Sequence, residues 1–195
     1  MRLCSAFLAL FLSACASTST GRQPFPSFSN SLGTTIYLDD EISALSLLVP
    51  TIQLKAAREP VTMYINSPGG EVYSGLAFLE VMQATKARGV PVTCIVKGMA
   101  ASMAAVILEG CSLRLMTKQS SILFHTVSIS GGSGGNAWEL ARLVQAMQEL
   151  NKRLAIFVSG ALKISLKCYE AHVADKDWWL GYEEALEVGA VDGVL

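Results

Sequence analysis

Histidine, charge and regularly spaced cysteines are scarce in this chain of 195 residues, and each scarcity excludes a class of function. Charged residues make up 16% of the sequence and the formal net charge is −1, which argues against nucleic acid as a partner. The only histidines are His125 and His172, and no motif in the chain requires a metal. Neither a metal nor a cofactor is therefore predicted.

The five cysteines do not predict a disulfide framework. Cys4 and Cys15 belong to the N-terminal segment, which leaves Cys94, Cys111 and Cys168, an odd number without a repeated spacing. Cys94 lies in an apolar run and is interpreted as a core residue rather than a reactive thiol.

The first 15 residues are predicted to be a signal peptide and not part of the fold. Met1-Arg2 precedes an apolar run over residues 3–12, which is too short to span a membrane. Residues 12–15 resemble a bacterial lipobox, in which the cysteine, here Cys15, is lipidated. The alternatives are an ordinary cleaved signal, or a misassigned start codon. A lipidated Cys15 implies an anchor on the periplasmic face of a bacterial membrane, whereas a false signal leaves the cytoplasm as the location.

The rest of the chain is predicted to form a tether over residues 16–33, rich in Ser, Thr, Pro and Gly, and one domain over residues 34–195. Helical spacing covers Glu41–Lys55, where Pro50 must start, kink or break a turn. Strands are predicted at Thr35–Leu38, Val61–Ile65, Val92–Val96, Leu113–Met116 and Ile122–Phe124. This alternation predicts parallel βαβ units in an α/β fold, with the active loops at the carboxyl ends of the strands.

One serine stands among very small residues, between a strand-like run and a helix-like run. In Lys97–Ala105 the alanines beside Ser102 leave room for a substrate chain. The start of the helix supplies partial positive charge, and the N–H of Met103 would point the same way as the hydroxyl. This favours a nucleophilic serine with an oxyanion donor, while a simple helix cap is the structural alternative.

Two further sites could complete this chemistry. His125 ends an apolar strand and could act as the base that a serine nucleophile needs, although a structural histidine is the alternative. The pair Gly69-Gly70 ends another strand and could present N–H groups to an anion, or it could serve only as a tight turn. His172 is interpreted as a surface residue of a helix.

A glycine-rich run and a long helix follow His125. Gly131–Gly135 predicts a mobile loop, and it lacks the Lys-Ser/Thr that a phosphate-binding loop requires. Apolar residues from Ala137 to about Val158 fall on one stripe, which predicts a helix of roughly 33 Å. The stripe suits core packing or a contact between subunits.

Four blocks resemble the proteolytic subunit of Clp protease, in order and in spacing, from about Thr35 to the C-terminus. They are Asn66–Gly70, Gly98–Ala104, His125 and Ala185–Asp192. The resemblance implies a Clp-protease- and crotonase-like α/β fold of stacked βαβ units with a protruding handle helix.

The resemblance also implies roles for individual residues and an assembly. Ser102 would be the nucleophile, His125 the general base, and Gly70 and Met103 the oxyanion-hole donors. The subunits would be homo-oligomers in heptameric rings, stacked in pairs through the handle helix. Peptides or unfolded proteins would bind as an added strand along the side of Gly131–Gly135.

The chain departs from the family pattern at two places. The slot of the third triad member falls near Val173, which cannot orient a histidine, so Asp175 is predicted to fill the role. The alternatives are Asp177, a Ser-His dyad, or a backbone carbonyl that orients His125. The other departure is the N-terminal segment, where the family contacts a hexameric ATPase. A Clp ATPase partner is expected only if the protein is cytosolic.

Three other activities are compatible with the sequence. A Ser-Lys protease like signal-peptide peptidase would use Lys97 or Lys118. Acyl-CoA chemistry on the crotonase fold would use the anion-binding turn without a nucleophilic serine. A catalytically weak or dead scaffold would assemble or bind peptides without hydrolysing them, and Val173 at the acid position is its best support.

Overall fold

A computed structural model describes residues 33–128, 136–174 and 176–195. The strands are β1 (Thr34–Leu38), β2 (Val61–Ser67), β3 (Val92–Ala101), β4 (Leu113–Met116), β5 (Ser121–Phe124), β6 (Trp178–Leu180) and β7 (Gly193–Val194). The helices are α1 (Leu48–Ala56), α2 (Val72–Ala87), α3 (Met103–Glu109), α4 (Ala137–Leu162), α5 (Leu166–Val173) and α6 (Tyr182–Glu187).

The sheet is parallel along the order β1-β2-β3-β4-β7, and it branches at β3. The first half of β3 pairs with β4, whereas Met99–Ala101 at its end pairs in parallel with β5. Strand β6 then adds to β5 in the antiparallel direction. The α/β fold with βαβ units is confirmed, and the branch places the ends of β2, β3 and β5 beside one another.

Helix α3 lies at the centre of the core. All seven of its residues are buried, and it packs against α2, α4 and the sheet. Helix α4 begins with a capping box, in which Asn136 accepts hydrogen bonds from the backbone of Trp138 and Glu139. It ends at Leu162, four residues later than the sequence predicts. None of the described helices combines the length and apolarity needed to cross a membrane.

Helix α1 is shorter than the predicted Glu41–Lys55. It begins at Leu48 and has Pro50 buried in its first turn, where a proline needs no intrahelical donor. Of the five apolar residues that suggested the longer helix, Ile42 is buried and the other four face solvent. The four are Leu45, Leu48, Val49 and Ile52, which are 54–82% exposed.

Cys94 is a core residue, as the sequence predicts, but the expectation that the cysteines form no disulfide is wrong. Cys94 is fully buried and forms a disulfide with Cys111, with 6.0 Å between the Cα atoms, inside the range that a disulfide spans. The pairing arises because the chain returns after α3 to the start of β3, where Ser112 N–H donates to the Val92 carbonyl at 2.8 Å. The spacing of the cysteines in the sequence does not indicate that the chain folds back to the start of β3.

A buried ionic cluster joins α3, β4 and the C-terminal segment. The Arg114 guanidinium contacts Glu109 Oε2 and donates to Asp192 Oδ1 at 2.8 Å and to the Ala161 carbonyl of α4 at 3.3 Å. Burial raises the pKa of Glu109 to about 8 even though Arg114 acts to lower it. Arg114 holds the pKa of Asp192 below its usual value against the opposing effect of burial.

The Glu109→Gln variant is expected to lose a pH dependence of stability. A carboxyl whose pKa rises on folding takes up a proton as the chain folds, so stability falls as pH rises between about 4.5 and about 8. The limiting slope is about 1.4 kcal/mol per pH unit. Chemical denaturation from pH 5 to pH 8 should show that the wild-type protein loses more stability than the variant. Parallel pH curves would contradict the assignment.

Candidate functional site

Ser102 occupies a strained turn at the end of β3. Its φ is 55° and its ψ is −123°, a backbone conformation that costs a non-glycine residue on the order of 1–3 kcal/mol. Two sets of hydrogen bonds maintain it: Ser102 N–H donates to the Leu123 carbonyl at 2.9 Å, and its carbonyl accepts from Ala105 and Val106 at 3.0 and 3.2 Å. The turn holds the side chain half-buried at the N-terminus of α3.

The turn Gly69-Gly70 lies directly against Ser102. Gly69 has a φ of +91°, and a Cβ built on it would lie 2.6 Å from both the Ala101 carbonyl oxygen and the Ser102 Cβ. Ile42 fixes the turn from the other side, because its N–H donates to the Gly69 carbonyl and its carbonyl accepts from Glu71 N–H, both at 2.7 Å.

The Gly69→Ala variant is expected to lose at least about 2 kcal/mol of stability. Turnover of a peptide substrate should fall about 100-fold or more, because the side chain displaces the backbone that carries Ser102. Gly89→Ala is the matched control, since Gly89 also has a positive φ of +84° but nothing lies within 4 Å of its added Cβ. Equal losses in the two variants, measured by thermal unfolding and peptide hydrolysis, would contradict the close contact at Gly69.

His125 follows β5 and is half-buried. The preceding residue, Phe124, anchors this strand end by packing its ring against Tyr169 and Trp178, with centroids 6.0 and 5.9 Å apart. Two residues after the histidine, Val127 N–H donates to Asn151 Oδ1 of α4 at 2.7 Å. Packing on one side and the Asn151 hydrogen bond on the other fix the segment that carries the imidazole.

A cavity of about 610 Å³ brings these parts together. Ser102, His125, Gly70 and Met103, which the sequence singled out from three separate segments, all line it. Apolar and aromatic side chains line another part of the cavity: Val72, Val106, Phe124, Leu154 and Tyr169. Burial, with a further contribution from the Glu109 charge, raises the pKa of Tyr169 to about 12. No motif in the sequence predicts that these apolar residues line the site.

Two backbone N–H groups at this cavity are available to an anion. Within the described part of the chain, neither Gly70 nor Met103 donates its N–H to a backbone carbonyl or to a side chain. Gly70 lies in the turn after β2, and Met103 is the first residue of α3, where helical N–H groups lack intrahelical acceptors. A hydroxyl, an imidazole and two N–H groups on one cavity are the groups that acyl transfer requires.

The imidazole and the hydroxyl share the cavity without a direct bond. Among the described residues, Ser102 Oγ makes no hydrogen bond to His125, and the imidazole has no hydrogen-bond partner. Catalytic hydrogen bonds are often loose before substrate binds. A second cavity, of about 350 Å³, lies against His125 and is lined by Val173 and Ala174.

This second cavity is where an orienting carboxylate would be expected. Buried Val173 occupies its wall, in agreement with the slot that the sequence assigns to valine. Asp175 lies outside the described residues, and Asp177 is exposed and does not line the cavity. Among the described residues, therefore, no aspartate lines this cavity, and the role of Asp175 stays a prediction.

Several other predicted residues are located elsewhere or are not described. Neither Lys97 nor Lys118 lines the cavity with Ser102, and Lys97 Nζ lies 4.0 Å from the centre of the Tyr64 ring.

The interpretation of His172 as a plain surface residue is wrong: it is half-buried, its ring stacks on Trp178 with 4.2 Å between the centroids, and its Nδ1 lies 2.8 Å from the Cys168 carbonyl. Cys15 and Gly131–Gly135 lie outside the described residues. Within the described ranges, no group of three or more His, Cys, Asp and Glu side chains could hold a metal ion.

The fold and the cavity together define an α/β protein with a hydrolase-type site. The family model for Clp protease matches residues 33–195. The chain is 32% identical to the ATP-dependent Clp protease proteolytic subunit 1 of Salinibacter ruber, covering 91% of this chain and 77% of that protein. It is 30% identical to the corresponding subunit of Leuconostoc citreum over 91% of each chain, and 33% identical to that of Bacteroides fragilis over 84% and 77%. The chain belongs to the Clp protease family of serine peptidases.

Proposed function

We propose that this protein is a serine endopeptidase that hydrolyses peptides or unfolded polypeptides by acyl transfer. The observation that carries the proposal is the single cavity lined by Ser102, His125, Gly70 and Met103. In the first half-reaction, His125 takes the proton of Ser102 as the hydroxyl attacks the scissile carbonyl, and the N–H groups of Gly70 and Met103 bind the oxyanion. The C–N bond then breaks, and His125 protonates the leaving amine.

Water completes the cycle by the same route. His125 takes a proton from the water, the resulting oxygen attacks the acyl-enzyme, and the C–O bond to Ser102 breaks as the proton returns to Oγ. The cavity has a volume of about 610 Å³, and the relatives are named as proteolytic subunits of an ATP-dependent protease. These two facts support a polypeptide substrate.

A fluorophosphonate probe tests the nucleophile directly. The folded wild-type protein should become labelled, and fragment mass analysis should locate the label on Ser102. Labelling should vanish in Ser102→Ala and slow strongly in His125→Ala, because the hydroxyl then lacks its base. Labelling that is insensitive to His125→Ala would favour a Ser-Lys mechanism instead, and a folded wild-type protein that takes no label would overturn the proposal.

The third triad member is assigned to Asp175, which follows the Val173 position by two residues. Removal of the orienting acid from a serine triad costs on the order of 10⁴ in rate. Asp175→Asn should therefore depress peptide hydrolysis far more than Asp177→Asn. If neither substitution has an effect, His125 works without an aspartate.

A catalytically weak or dead scaffold is the second candidate function, favoured by Val173 against His125 and by the imidazole's lack of a described partner. Such a protein would bind peptide and assemble, yet it would take no probe. In either case the family resemblance supports homo-oligomeric heptameric rings stacked through α4. Sedimentation of the purified protein measures the mass of this assembly.

We also propose that the protein is exported and anchored through a lipidated Cys15. The Cys94–Cys111 disulfide supports this placement, since disulfides persist in oxidising compartments and are rare in the cytosol. A periplasmic location would exclude an ATP-dependent unfoldase, whereas a cytoplasmic one would permit a Clp ATPase partner. The mass of the mature N-terminus, with and without a block of lipoprotein processing, decides between the two locations.

A further inference from the structure

The cavity that holds Ser102 carries two carboxylates on its wall. Glu41 and Glu71 are the acidic residues among its described lining, and no lysine or arginine lines it. The cavity itself, with its hydroxyl and free N–H groups, is what marks the place of a bound peptide. The carboxylates then determine the electrostatic potential that this peptide meets.

Both carboxylates are attached to the segment that would bind the oxyanion. Glu71 follows Gly70 directly, and its Oε2 accepts a hydrogen bond from Ser74 Oγ at 2.6 Å. Glu41 precedes Ile42, the residue that pairs with Gly70, and a Cβ added to Gly70 would lie 2.8 Å from Glu41 Cγ. Both residues are therefore attached beside Gly70 on the wall of the same cavity.

Neither carboxylate forms an ion pair with another residue in the described part of the chain. The ion pairs of the described residues join Arg114 to Glu109 and Asp192, and none involves Glu41 or Glu71. Both residues are exposed at the cavity wall. Two neighbouring negative charges in a cleft attract cationic groups and repel anionic ones.

We propose that Glu41 and Glu71 make this site select peptides with lysine or arginine close to the scissile bond, and discriminate against acidic residues there. The inference rests on the proposed function, because the peptide is placed by the binding of its carbonyl to Gly70 N–H. Residues of an extended peptide advance by about 3.3 Å each, so side chains within a few positions of the scissile bond lie in the cavity whose wall carries the two carboxylates.

Peptides that differ only in charge test this selection. A fixed apolar sequence carries Lys, Gln or Glu at each of three positions on either side of the scissile bond. Their dissociation constants are measured by fluorescence anisotropy on the Ser102→Ala protein, and their kcat/KM on the wild-type protein. We expect a Lys peptide to exceed the matching Glu peptide by about tenfold at one or more positions, with less discrimination in 0.5 M salt.

The variants assign the effect to the two carboxylates. Glu41→Gln with Glu71→Gln, placed in both backgrounds, should bring the Lys-to-Glu ratio close to one. Glu59→Gln removes an exposed carboxylate that does not line the cavity, and it should leave the ratio unchanged. Equal binding of Lys and Glu peptides to the Ser102→Ala protein, or a ratio that survives the double substitution, would overturn the inference. Selective binding without turnover by the wild-type protein would leave the inference standing and sink the proposed function.

Discussion

The Ser102→Ala variant is expected to hydrolyse peptides about 10⁶-fold more slowly than the wild-type protein, with little change in KM. Loss of the nucleophile from a serine hydrolase removes the covalent pathway, and only binding and oxyanion stabilisation remain. Steady-state hydrolysis of a fluorogenic peptide measures the loss. Ser112→Ala is the control, because Ser112 is exposed and its Oγ accepts a hydrogen bond from Val92 N–H at the opposite edge of the sheet. Retention of more than about 1% of the turnover by Ser102→Ala would contradict the assignment.

Substitutions of Ser102 that abolish activity are not expected to lower the stability of the fold. Alanine keeps the strained φ of 55°, so Ser102→Ala should unfold at nearly the wild-type temperature. Glycine adopts this conformation without a steric penalty, so Ser102→Gly should be inactive and yet unfold a few degrees higher. Thermal unfolding separates the two variants, and a lower midpoint for Ser102→Gly would show that the turn carries no strain.

The Arg114→Met variant is expected to lose about 3–5 kcal/mol of stability. Arg114 is 7% exposed, and the side chain of Glu109 is completely buried. Removing the guanidinium leaves the buried Glu109 carboxyl without its hydrogen-bond donor and removes three contacts to Asp192 and Ala161. For a chain of this length the thermal midpoint should fall by about 10 °C.

A double substitution distinguishes the ionic penalty from lost packing. In Arg114→Met with Glu109→Leu no charge is left buried without a partner, while the one-third-exposed carboxyl of Asp192 can be hydrated. Replacement of a buried ion pair by apolar side chains is often close to neutral. The double variant should therefore be more stable than Arg114→Met alone, as a double-mutant cycle would show. A double variant less stable than the single one would show that Arg114 acts through packing.

The sequence predicts the central part of this fold because its signals there are local. Strands β1 to β5 coincide with apolar runs bounded by polar residues, and the parallel pairing of β1 to β4 follows from the helices between them. Parallel strands bring their carboxyl ends to one edge, so Ser102, His125 and Gly70 could be predicted to be neighbours. The cavity that they share agrees with this expectation.

Features that depend on contacts between segments that local sequence patterns do not connect could not be predicted in the same way. The Cys94–Cys111 disulfide, the Arg114 cluster and the antiparallel strand β6 each join segments that only the folded chain brings together. The apolar spacing of α1 was a genuine signal for a helix, but it did not reveal that Leu45 and Ile52 face solvent. Spacing defines a face of a helix and not what covers it.

The pairing of Ile42 with Gly70 joins the proposed oxyanion turn to the segment that precedes α1. Two 2.7 Å backbone bonds join Ile42 to Gly69 and Glu71, and Ser67 Oγ holds the Asp40 carbonyl at 2.6 Å. Residues 40–42 are therefore tied by hydrogen bonds on both sides of the turn, so the position of the Gly70 amide depends on the conformation of this segment as well as on the turn itself.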